Sequence, residues 1–233
     1  MLPNDQQVGI QIPLQMRQIT ISYTLEDGSD YLPPYAGLHH RNEELWGIGD
    51  PQIFARSILW FQSWGFMPEF RTTIPIGSVE KNPYLQAQEG EVHQHIQMGT
   101  GTFIPSFSLT MFKDEIKWGM LHSIAQNLPL YENKNNYKPG MSTNWSLGYW
   151  KRVLPKIILM NQLRGKHESA ERWMDLPYGG QDAVSINFAT LYRFHPLWEI
   201  GIQLEKNLWV QSRQSEEDPL NPSVMWNVSI TYQ

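Results

Sequence analysis

Two histidines at alternate positions are the arrangement in this sequence most suited to metal chemistry. His93 and His95 lie in the segment EVHQHIQ, and side chains two residues apart in an extended chain point to the same side. Two imidazoles can share a metal ion, but a structural or catalytic site needs at least a third ligand. His39 and His40 are candidates of the same class in a different segment. The pattern therefore predicts a solvated loop pair, with no metal and no cofactor.

The other histidines give no pattern typical of nucleophilic catalysis. A serine hydrolase needs a serine, a histidine and a carboxylate in compatible places, and the GxSxG turn that often presents the serine does not occur in this sequence. His122 falls on the apolar side of its predicted strand, His195 in a short turn and His167 in a long connection. We therefore predict no catalytic residues and a protein that is not an enzyme.

Charged residues inside alternating apolar and polar segments are the best candidates for a function. Assigned by parity, the polar faces carry seven basic and three acidic residues, although the whole chain has 18 Lys+Arg against 23 Asp+Glu. The ten residues are Arg56, Glu69, Arg71, Lys117, Arg152, Lys156, Arg164, Arg193, Glu199 and Glu205. We predict that they line the lumen of a barrel.

Two interpretations of these lumen charges remain open. An electropositive lumen beneath an acidic mouth would favour small anions or aromatic acids. Alternatively, the arginines and glutamates pair with one another in a structural network that fills a narrow interior.

Strands must position these residues, because helix signals are poor. The chain carries 16 Pro and 17 Gly, and no long stretch keeps a 3.6-residue period. Alternation is frequent: in FMPEFRTTIPI, Phe66, Pro68 and Phe70 fall on one face, opposite Glu69 and Arg71. The predicted strands are roughly residues 7–25, 51–62, 66–76, 98–112, 116–125, 141–152, 156–165, 181–194, 197–211 and 222–232.

The connections between these ten strands alternate in length. The long ones are 26–50, 77–97, 126–140, 166–180 and 212–221, and the short ones are 63–65, 113–115, 153–155 and 195–196. Long outer loops and short periplasmic turns are typical of outer-membrane barrels, whereas a soluble sandwich has no reason to segregate its loops. The sequence therefore predicts an all-β fold, one antiparallel up-and-down transmembrane β-barrel formed by residues 1–233, with both chain ends on the periplasmic side.

The first strand leaves the strand count open. Val8, Ile10, Ile12, Leu14 and Met16 are in phase, and the apolar residues after them are out of phase. A bulge near residues 16–18 would shift the phase within one long strand and give ten strands. A tight hairpin at the same place would give eleven, and closure with even parity would then require a twelfth.

Bulk properties restrict the partners and the compartment. Mean hydropathy is −0.44 and no window of 18 successive apolar residues occurs, so a transmembrane helix is not predicted. The net charge of −5 does not suggest a nucleic-acid partner, and the absence of Cys is compatible with an oxidising periplasmic route. No signal peptide is visible at the start of the chain, and we expect that it has been removed.

The direction of the two strand faces decides between a membrane and a soluble barrel. The apolar faces carry many Trp and Phe, and the polar faces carry charges in mid-strand, such as Arg71, Arg193 and Glu199. A membrane barrel turns its apolar face towards lipid and its polar face inward. A soluble lipocalin-like barrel, with the polar face in solvent, is the alternative.

Three sequence blocks resemble a known family. GIGDPQIFARSILW opens a strand, TTIPIG ends the next, and MGTGTFIPSFSLTMFKD begins another. The order and spacing of these blocks, over about residues 46–113, resemble the outer-membrane channel family named for the MetA pathway of phenol degradation. The resemblance implies an outer-membrane β-barrel of a Gram-negative bacterium that passes small, often aromatic, hydrophobic molecules. That family is usually twelve-stranded, whereas the pattern here gives ten strands.

The C-terminal strand NPSVMWNVSITYQ is expected to pair with two strands, to face lipid and to carry an assembly signal. In a closed barrel it pairs with the first strand and with 197–211. Val224, Trp226, Val228, Ile230 and Tyr232 would face lipid, and a near-terminal aromatic resembles the signal read by the outer-membrane assembly machinery. Ser223, Asn227, Ser229 and Thr231 would face the lumen.

The function predicted from the sequence is a channel for passive uptake of small molecules, of the aromatic or anionic class. The alternatives are a non-transporting outer-membrane barrel used for adhesion or structure, a soluble binding barrel and a barrel hydrolase.

Overall fold

Fifteen strands and one short helix make up the described part of the chain. The computed structural model describes residues 5–20, 22–32, 42–91, 97–212 and 224–232. The strands are β1 (Asp5–Gln11), β2 (Leu14–Ile19), β3 (Glu43–Ile48), β4 (Gln52–Phe61), β5 (Trp64–Thr73), β6 (Pro105–Asp114), β7 (Trp118–Asn127), β8 (Tyr137–Lys138), β9 (Ser142–Leu154), β10 (Ile157–Glu168), β11 (Glu171–Trp173), β12 (Leu176–Tyr178), β13 (Gln181–His195), β14 (Trp198–Ser212) and β15 (Met225–Tyr232), and the helix is α1 (Pro83–Gln88). None of the helices in the described residues is long and apolar enough to cross a membrane.

Ten strands form one antiparallel sheet in which each strand pairs with the next along the chain. The order is β1-β4-β5-β6-β7-β9-β10-β13-β14-β15. This confirms the all-β, antiparallel, up-and-down architecture and the count of ten. Within the described residues β1 and β15 are the two edges, and no pairing between them closes the sheet. The predicted pairing of the last strand with its predecessor is confirmed, and the predicted pairing with the first strand is not found there.

Short and long connections lie at opposite ends of this sheet. The short turns are residues 62–63, 115–117, 155–156 and 196–197, and we refer to their end as the short-turn end. The long connections are 12–51, 74–104, 128–141, 169–180 and 213–224, and they define the long-connection end. Asp5 pairs with Ile58 and Tyr232 with Trp198, so β1 begins and β15 ends at the short-turn end. The predicted alternation of connections is confirmed.

The two faces of the sheet differ as the alternation predicts. Arg56, Glu69 and Ser108 are aligned across β4, β5 and β6 on one face, which we call the inner face. Phe70 and Phe107, in register with each other, lie on the opposite outer face and are 43% and 54% exposed. Trp226, Val228 and Ile230 follow the same outer parity on β15 and are also exposed. The side chains of Thr231 and Tyr232, and all of residues 221–223, lie outside the described part.

The phase shift expected in the first strand occurs in its partner instead. Gln11 pairs with Gln52 and Leu14 with Ile48, so two residues of the first strand face three residues, 49–51, of the other. The first strand keeps one phase through Met16 and is interrupted at Pro13, which has no N–H for the ladder. Gly49 fits this bulge because a Cβ there would lie 2.4 Å from the Gln15 amide nitrogen and 3.0 Å from the Met98 carbonyl. The bulge predicted near residues 16–18 was therefore wrong in position.

Several other boundaries and assignments differ from the prediction. Residues 98–104 do not form a strand, because Gly101 has φ +69° and turns the chain before β6 begins at Pro105. Residues 22–25 enter a turn that brings Thr24 opposite Asp30. Lys117 and Lys156 lie in short turns rather than on strand faces, since the neighbouring strands end before them. His167 lies on β10, which extends to Glu168, and not in a long connection.

Large inner-face side chains lie over glycines of neighbouring strands. A Cβ on Gly65 would be 2.3 Å from Cζ of Phe112, and one on Gly119 would be 2.2 Å from Nε1 of Trp150. In the same way, a Cβ on Gly9 would lie 2.5 Å from Cζ of the Phe54 ring. These rings lie against the wall because glycine leaves the space, so the inner face is not purely polar.

The buried core of the described residues lies at the long-connection end and not inside the sheet. β11 and β12 form a hairpin in the connection 169–180, and β8 from the connection 128–141 adds a third strand. Tyr137 and Trp173 pack with ring centroids 4.6 Å apart and are nearly inaccessible. We call this unit the mouth sheet.

The fit between Gly65 and Phe112 predicts a specific coupling. Gly65→Ala should lower the free energy of unfolding by roughly 1–3 kcal/mol, because the new methyl overpacks the ring. The same change should cost much less when Phe112→Ala is already present. Urea unfolding of the refolded protein in detergent, run as a double-mutant cycle, measures this, and equal costs in both backgrounds would contradict it.

Candidate functional site

A chamber opens on the inner face at the long-connection end. Its volume is about 810 Å³. Eight successive strands of the sheet, from β4 to β14, each contribute to its wall, so the sheet curves around it. The residues that these strands contribute are Gln52, Arg71, Thr73, Ser106, Asn127, Ser142, Glu168, Gln181, Val210 and Ser212. Most of these strand side chains carry hydroxyl, amide or charged groups.

Arg71 lies at the base of this chamber in a saturated network. Its Nε and Nη2 contact Glu69 Oε1 at 3.0 and 2.9 Å. Its Nη1 donates to Gln52 Oε1 at 2.7 Å and to Gln11 Oε1 at 3.0 Å. Arg56 reaches the same glutamate, with Nη1 3.8 Å from Oε2, and donates from Nε to Gln7 at 2.8 Å. The network thus joins β1, β4 and β5.

Phe54 lies between these two arginines on the inner face. The guanidinium carbon of Arg56 is 5.4 Å from the ring centroid and that of Arg71 is 5.2 Å away. Both distances fall within the range of cation–π attraction. The sequence analysis missed Phe54, because one apolar residue on a polar face reads as an exception to the pattern.

A second network of the inner face surrounds Glu205 and joins β10, β13 and β14. Arg164 Nη1 lies 2.9 Å from Glu205 Oε2, and the Ser185 hydroxyl donates to Oε1 at 2.7 Å. Asn187, which is 1% exposed, donates to Oε2 at 3.4 Å. These contacts form part of the wall of a further cavity of about 530 Å³.

The remaining predicted lumen residues lie nearer to the short-turn end. Arg193 Nη2 and Glu199 Oε2 are 3.6 Å apart. Arg152 Nη1 donates to the Ile116 carbonyl at 2.9 Å. Lys117 and Lys156 are exposed in their turns. The structure thus places eight of the ten residues in separate groups along the inner face and the two lysines in turns, rather than in one site.

Asp50 joins the three motif blocks found in the sequence. It projects from the bulge opposite Pro13 and is 7% exposed. Its carboxylate accepts the Gly77 N–H at 2.9 Å, the Thr100 N–H at 2.6 Å and the Thr100 hydroxyl at 2.8 Å. A Cβ on Gly99 would lie 2.6 Å from Asp50 Oδ1, so only glycine fits beside the carboxylate. We call Asp50, Gly77, Gly99 and Thr100 the Asp50 cluster.

The Asp50 cluster fixes Gly77 and Thr100, near the two ends of the connection 74–104, to the bulge at residues 49–51. Thr100 from this connection lines the chamber, and Thr102 is completely buried. Asn133 Nδ2 donates to the Thr100 carbonyl at 2.9 Å and links the cluster to the next connection. In the sequence, Asp50 stands out only as part of the block GIGDPQIFARSILW that opens a strand. The repeated glycines near residues 77 and 99 were the available signal.

Tyr137 and Glu171 form a buried polar pair in the mouth sheet. The Tyr137 hydroxyl donates to Glu171 Oε2 at 2.8 Å. Burial raises the pKa of Glu171, and the hydrogen bond from Tyr137 opposes part of that increase. Burial and the neighbouring Glu171 both raise the pKa of Tyr137, so its hydroxyl stays protonated and keeps donating. Both residues contribute to the chamber wall.

Three histidines lie in the part of the chain that the structure describes, and they do not gather with other potential metal ligands. His122 lies on the outer face between Met111 and Leu147, as predicted. His195 Nδ1 accepts the Leu197 N–H at 3.2 Å. His167 Nδ1 and Asp182 Oδ1 are 2.6 Å apart on the outer face. No group of three potential metal-binding side chains occurs in that part, whereas His39, His40, His93 and His95 lie outside it.

Comparison with solved structures identifies the fold. No family model matches the chain, and no curated protein matches it significantly. The crystal structure of the COG4313 outer membrane channel from Pseudomonas putida F1 matches with a TM-score of 0.62 and 13% identity. The match covers 98% of this chain and 83% of that one. This chain has the fold of an outer-membrane β-barrel channel. At this level of identity the likeness concerns the fold alone.

Removal of the Asp50 carboxylate should free Gly77 and Thr100 from the bulge at residues 49–51. Asp50→Ala leaves the buried amides of Gly77 and Thr100 without an acceptor, at about 1–3 kcal/mol for each unsatisfied group. We expect faster proteolysis within 74–104 and faster hydrogen exchange at both amides, while the ten-stranded sheet remains folded. Asp27→Ala is the matched control, because Asp27 is exposed and accepts hydrogen bonds only within its own turn, from Ser29. Equal effects of the two substitutions would overturn this role of Asp50.

The raised pKa of Glu171 predicts that the mouth sheet loses stability as the pH increases. The folded form favours the protonated carboxyl, so its contribution is complete below the ordinary glutamate pKa and is lost as pH rises through the raised value. Proteolysis of the connections 128–141 and 169–180 should therefore accelerate across that range. Glu171→Gln should flatten the profile, whereas Glu132→Gln, at an exposed position, should not. A pH-independent rate in the unmodified protein would contradict this assignment.

Proposed function

We propose that this protein is an outer-membrane channel of a Gram-negative bacterium that passes small molecules passively. The chamber of about 810 Å³ carries the proposal, because polar side chains of the inner face line it at the long-connection end. The fold shared with an outer-membrane channel supports a membrane location. In this arrangement the long connections face outward and the short turns face the periplasm.

The distribution of apolar side chains supports the membrane location over a soluble barrel. On the outer face, Phe188 is 50% and Trp226 is 74% exposed. On the inner face, Ser146 and Ser185 are only 7% and 6% exposed. A soluble barrel would place its large apolar residues in the interior, so the observed sidedness favours lipid as the surrounding partner.

The charges of the inner face support a weak preference for anions. Of the ten predicted lumen residues, eight lie on strands, and these are five arginines and three glutamates. Each glutamate contacts an arginine, as the network interpretation requires. Two arginines remain in excess, and one of them, Arg152, donates to a backbone carbonyl and forms no ion pair among the described residues. Both interpretations therefore contribute: the pairs order the interior, and the excess sets its potential.

The solute class that we propose combines this charge with the inward rings. The sequence blocks that resemble the phenol-pathway family imply passage of small aromatic molecules. Phe54, Phe112 and Trp150 offer flat surfaces along the inner face, and guanidinium groups flank Phe54. Small aromatic acids are the solutes that match both features.

A non-transporting barrel is the second candidate. Arg71 contacts Glu69, Gln11 and Gln52 in the interior, and this network of side chains favours a structural or adhesive role. Absence of enzymatic activity stays a prediction. Recognition of β15 by the assembly machinery is likewise a proposal, and the apolar outer positions Trp226, Val228 and Ile230 support it.

Reconstitution into planar bilayers tests the function. We expect stepwise conductance and, in a salt gradient, a reversal potential of the sign for anion preference. Arg152→Gln should reduce that preference, because it removes an inner-face charge with no acidic partner. Lys206→Gln is the control, since it removes the same charge from an exposed outer-face position beside Ile186. Cation selectivity would contradict the anion preference, and a folded protein without conductance would favour the non-transporting barrel.

A further inference from the structure

Basic side chains without acidic partners gather at one part of the short-turn end. Lys117 and Lys156 lie in the turns 115–117 and 155–156, and Lys151 and Arg152 lie on β9 between them. We call these four residues the rim cluster. None of the four forms an ion pair with the described residues, whereas Lys113 and Arg193 nearby pair with Glu115 and Glu199.

Backbone contacts fix each member of the rim cluster to a neighbouring strand or turn. The Arg152 N–H donates to the Lys117 carbonyl at 2.8 Å, and the Arg193 N–H donates to the Lys156 carbonyl at 2.9 Å. Lys151 pairs in register with Trp118 on one side and with Leu159 on the other. Asp114 and Glu115 are the acidic groups of the adjoining hairpin, and Glu115 is already engaged by Lys113. The cluster therefore keeps a local excess of positive charge.

Aromatic residues place the rim cluster at the level of a membrane surface. Trp118 and Tyr149 stack on the outer face with centroids 6.4 Å apart and an interplanar angle of 25°. Tryptophan and tyrosine on the lipid side of a barrel mark the boundary between hydrocarbon and headgroups. Lys151 follows Tyr149 by two residues on the same face, roughly 7 Å closer to the rim. That distance moves an ammonium group from the hydrocarbon boundary to the height of the phosphates.

We propose that the rim cluster binds the phosphate of an anionic phospholipid in the inner leaflet of the outer membrane. The proposal rests on the membrane location under the proposed function and adds a lipid partner to it. Charge complementarity identifies this partner: exposed ammonium groups with no carboxylate partner face the depth at which lipid phosphates lie. The three lysines of the cluster lie on the rim and the outer face, separate from the path of a solute, whereas Arg152 projects to the inner face.

Lipid binding by the purified protein tests the rim cluster. Fluorescent phosphatidylglycerol and phosphatidylcholine would be titrated into the intact chain in nonionic detergent. The triple variant Lys117→Gln, Lys151→Gln and Lys156→Gln should lose about tenfold or more in affinity for phosphatidylglycerol and little for phosphatidylcholine. Added salt should reduce the same preference, because it screens exposed charges. Arg152 is left in place because its side chain supports the turn at Ile116.

The matched control removes three lysines elsewhere. Lys81→Gln, Lys134→Gln and Lys206→Gln change the net charge equally at exposed positions away from the short turns, and should leave phosphatidylglycerol affinity unchanged. Equal losses of phosphatidylglycerol affinity in both triple variants would show that the affinity depends on net charge alone, and would overturn the proposal. Full competition by glycerol phosphate at the lipid's own concentration would indicate a free-phosphate site and would overturn it too.

Insertion and conductance separate this proposal from the proposed function. Both triple variants should show the heat-modifiable migration of a folded barrel. A protein that inserts and conducts, yet shows no phosphatidylglycerol preference, would overturn the lipid site alone. A protein that stays in the aqueous phase would overturn the membrane location and the lipid site with it.

Discussion

The alternation of side chains along ten paired strands is the constraint on which this structure depends. Each strand sends successive residues to opposite faces, so a face of large apolar side chains leaves most of the polar groups in mid-strand to the other side. The inner face must then accommodate charges at close range without the freedom of bulk water. Glu69 and Glu205 show the result, because Glu69 contacts two arginines, and Glu205 contacts an arginine, a serine and an asparagine. The networks follow from the sidedness rather than from a requirement for catalysis.

Strand pairing also determines how much space the large side chains of the inner face leave. A residue directly opposite a large side chain in the next strand decides whether that side chain points into the lumen or lies along the wall. Glycine opposite Phe112 and Trp150 selects the wall. The passage can therefore include aromatic rings without being closed by any one of them. The same interior can therefore have a positive electrostatic potential from its arginines and flat apolar surfaces from its aromatic rings.

The sheet was predictable from the sequence because its signals are local. Alternation within a strand and the length of each connection require no knowledge of distant residues, and they gave the order of strands and the inward direction of Arg71 and Glu199. The side of the bulge was not predictable, because an extra residue in either strand of a pair produces the same shift. Phe54 was missed because its role depends on Gly9 and two arginines of neighbouring strands. Asp50 was undervalued because its partners, Gly77 and Thr100, lie 27 and 50 residues further on.

The sequence separation within the Asp50 cluster has a consequence for the order of folding. Every hairpin of the sheet closes a short loop, whereas the mouth forms only when the carboxylate finds amides from a connection that follows a further strand. The wall can thus be complete before the entrance has its final shape. In that order of folding, the ten-stranded sheet is present while the long-connection end still lacks the contacts of Asp50. For the proposed channel, the speed with which Asp50 captures Gly77 and Thr100 would set how long the interior stays open to solutes of any kind.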